Sequence, residues 1–133
     1  MDWKNKVLNP KGWLIAFGVI FLLLGTMNYL TGETSAESAY PDPTDRDVFY
    51  EQTFGLFSAA FAGMALTTGL VVKGRSLSIM AMASSGAMIV VMVLHYMAGE
   101  AVDYGYNDPV ILGVVVALLA VMGISGYLHL EDE

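Results

Sequence analysis

The chain reads as an all-α polytopic membrane protein, with four transmembrane helices forming one domain over residues 1–133 as an antiparallel bundle, N-in/C-in. Three observations predict this. Four apolar stretches, about 13–30, 54–72, 77–98 and 110–128, take up most of the 133 residues. Each approaches the ~20 residues that a helix needs to cross a bilayer core, and none carries Asp, Glu, Lys or Arg in its interior. The charges outside these stretches are sorted by sign, basic at one side and acidic at the other.

Span 1 follows Asn9-Pro10. An Asn side chain accepts from the free N–H groups of a first turn, and proline fits the first helical position because its missing N–H costs nothing there. The run is too long for a signal-peptide core and no A-x-A-like site follows it, so it reads as a retained span. Span 2 is expected to start with the same device at Asp42-Pro43, which extends its helix outward from about 43. At about 30 residues it exceeds the ~20 needed to cross, so its first turns project beyond the bilayer. The stretch before it, Gly32 to Pro41, is small and polar and reads as a loop.

Spans 2 and 3 are joined by Lys73-Gly74-Arg75, with Gly74 closing one helix, Ser76 capping the next, and a tight antiparallel hairpin between them. Span 4 opens at Asp108-Pro109, a third cap-plus-proline start.

Charge sets the orientation. Lys4, Lys6 and Lys11 precede span 1, and Lys73 and Arg75 lie between spans 2 and 3. The segment between spans 1 and 2 carries Glu33, Glu37, Asp42, Asp45, Asp47 and Glu51 against Arg46 alone. Between spans 3 and 4 lie Glu100, Asp103 and Asp108. The positive-inside rule then puts both termini in the cytoplasm and the acidic loops on the non-cytoplasmic side of the plasma (inner) membrane. The acidic tail Glu131-Asp132-Glu133 runs against this, but acidic residues weigh little in the rule. Trp3, Trp13 and Tyr127 fall at the inner boundary and Tyr29, Tyr50, Tyr96, Tyr104 and Tyr106 at the outer one, where amphipathic rings anchor.

Composition removes several functions. A hydrophobic share of 56% with 14% charged residues and a mean hydropathy of +0.58 does not fit a soluble domain, whose charged share is nearer ~25%. The six Lys and Arg form no extended basic patch, which argues against a nucleic-acid partner. With no cysteine, thiolate metal sites and thiol redox catalysis are excluded, as are the quinone-linked disulfide-forming enzymes, which need cysteine pairs. Small multidrug exporters depend on an acidic residue within span 1, and this span has none.

Small residues line the packing faces. Gly55, Ala59 and Gly63 recur every four residues on span 2, beside Ser58, Ala62, Ala65 and Gly69. In lipid such faces let helices approach closely. Span 3 offers Ala81, Ser84, Ser85 and Ala87, and span 4 Gly113, Ala117, Ala120 and Gly123. Span 1 is bulkier, with Phe17, Ile20, Phe21 and Leu24 beside Gly18 and Gly25. Spans 2, 3 and 4 are therefore expected to pack together, with span 1 facing lipid. Gly55, Ala59 and Gly63, with Asp45, Asp47 and Glu51 on the outer rim, are the candidate partner-contact residues.

Few residues are placed for chemistry. Met88, Met92 and His95 share one face of span 3, and Glu100 follows. Thioether plus imidazole suits copper(I), and carboxylate plus imidazole suits harder divalent metals. These four are the candidate metal ligands, although methionine is also an ordinary apolar filler. His95 and His129 fall at opposite membrane faces, so one copy of the chain cannot supply both axial ligands of a haem. Asn28, polar at the end of span 1, is expected to bond across helices to His95. Asp103-Tyr-Gly-Tyr-Asn-Asp offers oxygen ligands but misses the spacing of an EF-hand loop.

The four spans, the long first loop and the glycine-rich second span (TFGLFSAAFAGMALTTGL, residues 53–70) resemble the DoxX-like small membrane proteins. The resemblance implies a four-helix membrane fold and, from some relatives, a role as accessory subunit of quinone-linked oxidoreductases; it carries no functional residue across. The expected function is thus a non-catalytic accessory subunit of a larger, redox-linked membrane complex, with larger integral membrane subunits as partners and bound lipid. A basic soluble protein is a further partner for the acidic rim. The alternatives are a small metal-binding or transport protein using Met88, Met92, His95 and the outer carboxylates, and a homo-oligomeric carrier.

Overall fold

The structure, a computed structural model, describes the backbone of residues 3–131 and the side chains of residues 5–131. Expectations resting on the Trp3 and Lys4 side chains, or on Asp132 and Glu133, lie outside the described residues. The elements are α1 (Trp3–Val7), α2 (Pro10–Leu30), α3 (Gly32–Ala39), α4 (Asp45–Val71), α5 (Gly74–Glu100) and α6 (Pro109–Leu128), with no strand among the described residues. Four helices are long and apolar enough to cross a membrane, and α2, α4, α5 and α6 supply them.

Two of the expected caps form. Asn9 Oδ1 accepts from the Lys11 and Gly12 N–H groups at 3.0 and 3.4 Å, and Asp108 Oδ1 from those of Val110 and Ile111 at 2.7 and 3.2 Å. Before α2, Trp13 Nε1 donates to Val7 O at 2.7 Å and ties α1 down.

The other two starts are corrected. Helix α4 begins at Asp45 rather than at Pro43, with Thr44 at its N-cap. The Asp47 carboxylate, three residues on, accepts from the Thr44 N–H and hydroxyl, both at 2.7 Å. That reciprocal cap outweighs the Asp-Pro pair before it. Helix α5 begins at Gly74, so Ser76 is already inside it, and α4 has ended at Val71. Gly74 has φ +58°, a turn conformation that glycine adopts without steric cost.

Residues 32–39, expected as loop, form α3. Its buried residues Gly32, Ser35, Ala36 and Ala39 stand at i, i+3, i+4 and i+7, the spacing of one helical face. Low hydrophobicity disguised that spacing, because the buried face is made of small residues.

The pairing of the spans also departs from expectation. Span 1 is not the lipid-facing outlier: α2 packs along α4, and α5 along α6, while the two pairs touch each other less. Backbones meet closely at glycine. A methyl on Gly25 would lie 2.6 Å from Gly55 O and 2.7 Å from Ala59 N, and one on Gly18 would lie 2.7 Å from Leu66 Cβ. Gly69 meets Ile15 and Leu14, so the two helices run antiparallel. In the other pair Gly126 abuts Ser78 O and Gly123 abuts Ser85 Oγ. Ser85 Oγ donates to Leu119 O at 2.6 Å, and Ser78 Oγ to His129 O at 2.9 Å. A hydroxyl with a carbonyl partner is worth about 1 kcal/mol across membrane helices.

Leu14, Leu77, Ala81, Leu119 and Met122 form the buried apolar cluster that joins α2 to α5 and α6. Only 17–22% of each span's most apolar window is buried within the chain, so most of the apolar surface is left for lipid or another protein to cover.

Candidate functional site

The acidic end of the molecule is organised around one carboxylate. Glu51, in the second turn of α4, is only 3% exposed. Asn28, in the last turn of α2, donates its Nδ2 to Glu51 Oε2 at 3.1 Å and to Glu51 O at 2.8 Å. The Tyr104 hydroxyl donates to Oε1 at 2.9 Å. One side chain thus joins α2, α4 and the 101–108 connector between α5 and α6. An amide and a phenol satisfy it, a necessary arrangement because a buried carboxylate without donors costs several kcal/mol.

The connector is held down on a second side. The Gly105 N–H donates to Ala39 O at 2.8 Å, and a Cβ at Gly105 would collide with Ser38 O, so only glycine allows this approach. Asp103 supports the turn with φ +52°, a conformation that Asp visits more readily than most residues. Asn107 Nδ2 donates to Tyr96 O at 2.8 Å and to Glu100 Oε1 at 3.2 Å, fastening the connector to the end of α5.

Aromatic rings surround these bonds. Tyr104 lies 5.5 Å from Tyr40, 5.6 Å from His95 and 5.7 Å from Tyr106, edge-on to the last two. The His95 ring in turn stacks on Phe54 at 5.3 Å. Burial, then the hydrogen bond to Glu51 and its charge, push the Tyr104 hydroxyl well above the ordinary tyrosine range. Burial and the Glu51 charge push Tyr40 in the same direction. Both phenols are favoured in the protonated form, and Tyr104 thereby remains a donor to the Glu51 carboxylate.

The candidate metal ligands are placed differently from one another. Met88 and Met92 pack against the apolar cluster. His95 is exposed and flanked by Phe54 and Tyr104, and Glu100 accepts from Asn107. Among the described residues, no three His, Asp or Glu side chains converge so as to hold a metal ion. Asn28 bonds to Glu51 rather than to His95, because the close α2–α4 approach at Gly25 and Gly55 brings Glu51 within its reach.

The partner-contact candidates divide. Gly55 is buried against Gly25 O and Tyr29 N, and Ala59 meets Gly25 from the same helix face. Glu51 is the internal tie and Asp47 the helix cap. Gly63 and Asp45 remain at the surface, and nothing lies within 4 Å of a Cβ at Gly63. Reading the sequence missed Tyr104, Tyr40 and Asn107 as members of this cluster. Its one available signal was an Asn and a Glu at the same depth on adjacent spans.

Comparisons with protein-family models, with curated proteins and with solved structures found no match.

Proposed function

We propose that this chain is a non-catalytic accessory subunit of a larger, redox-linked membrane protein complex. In this reading it crosses the inner membrane as an N-in/C-in antiparallel four-helix bundle, with the Glu51 cluster on the non-cytoplasmic side. One contrast carries the reading. Among the described residues every buried side-chain polar atom has a partner within the chain, whereas the apolar surface is wide and notched. Gly63 on α4, Gly86 on α5 and Gly113 on α6 each have open space above them. Phe57, Phe61 and Met64 stand 61–65% exposed beside Gly63. Glycine notches in lipid admit a neighbouring helix at close range. The likeness to DoxX-like proteins points the same way, and the exposed acidic residues around Asp45 suit a basic soluble partner.

The test is to solubilise the native membrane in mild detergent and identify by native-gel mass spectrometry what migrates with the chain. Larger integral subunits in fixed ratio are expected. A lone chain or a homo-oligomer overturns the proposal and favours a carrier. Stoichiometric copper or another divalent metal in a band of this chain alone favours a metal-binding protein.

A further inference from the structure

The basic end carries an apolar feature outside the Glu51 cluster. Ile79, Met82, Ala83 and Leu130 line a shallow, open and almost wholly apolar groove of about 370 Å³. Its floor is α5, and its rim is the chain leaving α6, fixed by the Ser78 hydrogen bond to His129 O. Arg75, Ile79, Met82 and Gly86 stand at i, i+4, i+7 and i+11, so they form one stripe of α5. An exposed guanidinium begins the stripe. The groove occupies its middle, and beyond it Gly86 has open space over its backbone. Lys73 and Lys11 are exposed at the same end of the α2–α4 pair.

We infer that this groove binds an anionic phospholipid, its phosphate at Arg75 and one acyl chain along Ile79, Met82 and Ala83 toward Gly86. Charge complementarity selects the occupant. Arg75 stands one turn before Ile79 on the helix face that carries the groove. An arginine beside apolar surface matches a phosphate joined to a hydrocarbon, and arginine pairs with phosphate through two parallel hydrogen bonds. A partner helix in the same groove would have to place an acceptor opposite Arg75, whereas a lipid brings one with its headgroup. Exposed Glu131, next to Leu130, opposes the anion and limits the selectivity. The inference does not depend on which larger proteins the chain meets.

The test uses the full-length chain in vesicles of mixed phosphatidylglycerol and phosphatidylcholine, followed by extraction and mass spectrometry of the lipid retained. Phosphatidylglycerol is expected to be enriched. Arg75→Gln is expected to lower the ratio of anionic to zwitterionic lipid about fivefold, the effect of one basic residue at an anionic surface. Glu131→Gln should raise the ratio. Ala83→Trp should reduce retention of both lipids, while helix content by circular dichroism stays unchanged. Equal retention of both lipids by the wild type, or a ratio unmoved by Arg75→Gln, overturns the site. Displacement by inorganic phosphate at constant ionic strength overturns the assignment to a lipid headgroup.

Discussion

The Tyr104 hydroxyl donates to Glu51 Oε1 at 2.9 Å and joins the connector after α5 to the second turn of α4. These residues are 53 positions apart, and the bond links one pair of helices to the other at the acidic end. At the basic end the same linkage is apolar, through Leu14, Leu77 and Leu119. Replacing Tyr104 with Phe keeps the ring contacts to Tyr40, His95 and Tyr106 and removes only the hydroxyl. It should cost about 1.5–3 kcal/mol, the range for a hydrogen bond to a charged group. Unfolding in mixed detergent–SDS micelles measures it, and an unchanged midpoint would show that the bond contributes nothing.

Glu51→Ala should be worse than Tyr104→Phe. It strands the Tyr104 hydroxyl, removes one of the two bonds of the Asn28 amide, which keeps Glu51 O, and leaves a cavity. A loss on the order of 3 kcal/mol is expected. The double variant Glu51→Ala with Tyr104→Phe should lose less than the two single losses added, because the two groups share one bond. Strict additivity would place the tie elsewhere.

Much of this arrangement was legible beforehand, and the failures have physical causes. Asn9-Pro10 and Asp108-Pro109 start helices because cap and proline act locally and nothing nearby competes. Asp42-Pro43 does not, since Thr44 and Asp47 offer a better cap two residues later. Residues 32–39 hid a helix because Gly32, Ala36 and Ala39 bury a face with little hydrophobicity. Gly18 and Gly25 were visible among the bulky residues of span 1, but which glycine face meets which depends on register. The Glu51 cluster likewise needs the α2–α4 approach before Asn28 has a partner.

The glycine pairs give a sharp contrast. A methyl on Gly55 would lie 2.5 Å from Gly25 O and 2.7 Å from Tyr29 N, both backbone atoms that cannot swing away. Gly55→Ala should therefore force α2 and α4 apart, at a cost of about 1–3 kcal/mol for overpacking. Gly63→Ala on the same helix meets open space, so it should be neutral or gain up to about 1 kcal/mol of helix propensity. Micelle unfolding of the isolated chain separates the two, and equal effects would refute the pairing.

Alkaline pH provides an independent probe of the same cluster. A free tyrosine titrates near 10.0, and both Tyr104 and Tyr40 are raised above that in the fold. An acid with a raised folded value is favoured in its protonated form, so its stabilising effect is complete below the unfolded value. As pH climbs past 10.0 the unfolded chain releases these protons first, and stability falls until the folded groups ionise too. The melting temperature should therefore drop above that pH more steeply in the wild type than in Tyr104→Phe, with Tyr40 contributing to the slope that remains. A wild-type profile parallel to that of Tyr104→Phe would mean that the Tyr104 hydroxyl is not buried against Glu51. Spectrophotometric titration of the phenolate band gives the second reading, in which part of the tyrosine signal rises only above the ordinary tyrosine range and Tyr104→Phe removes some of that late part.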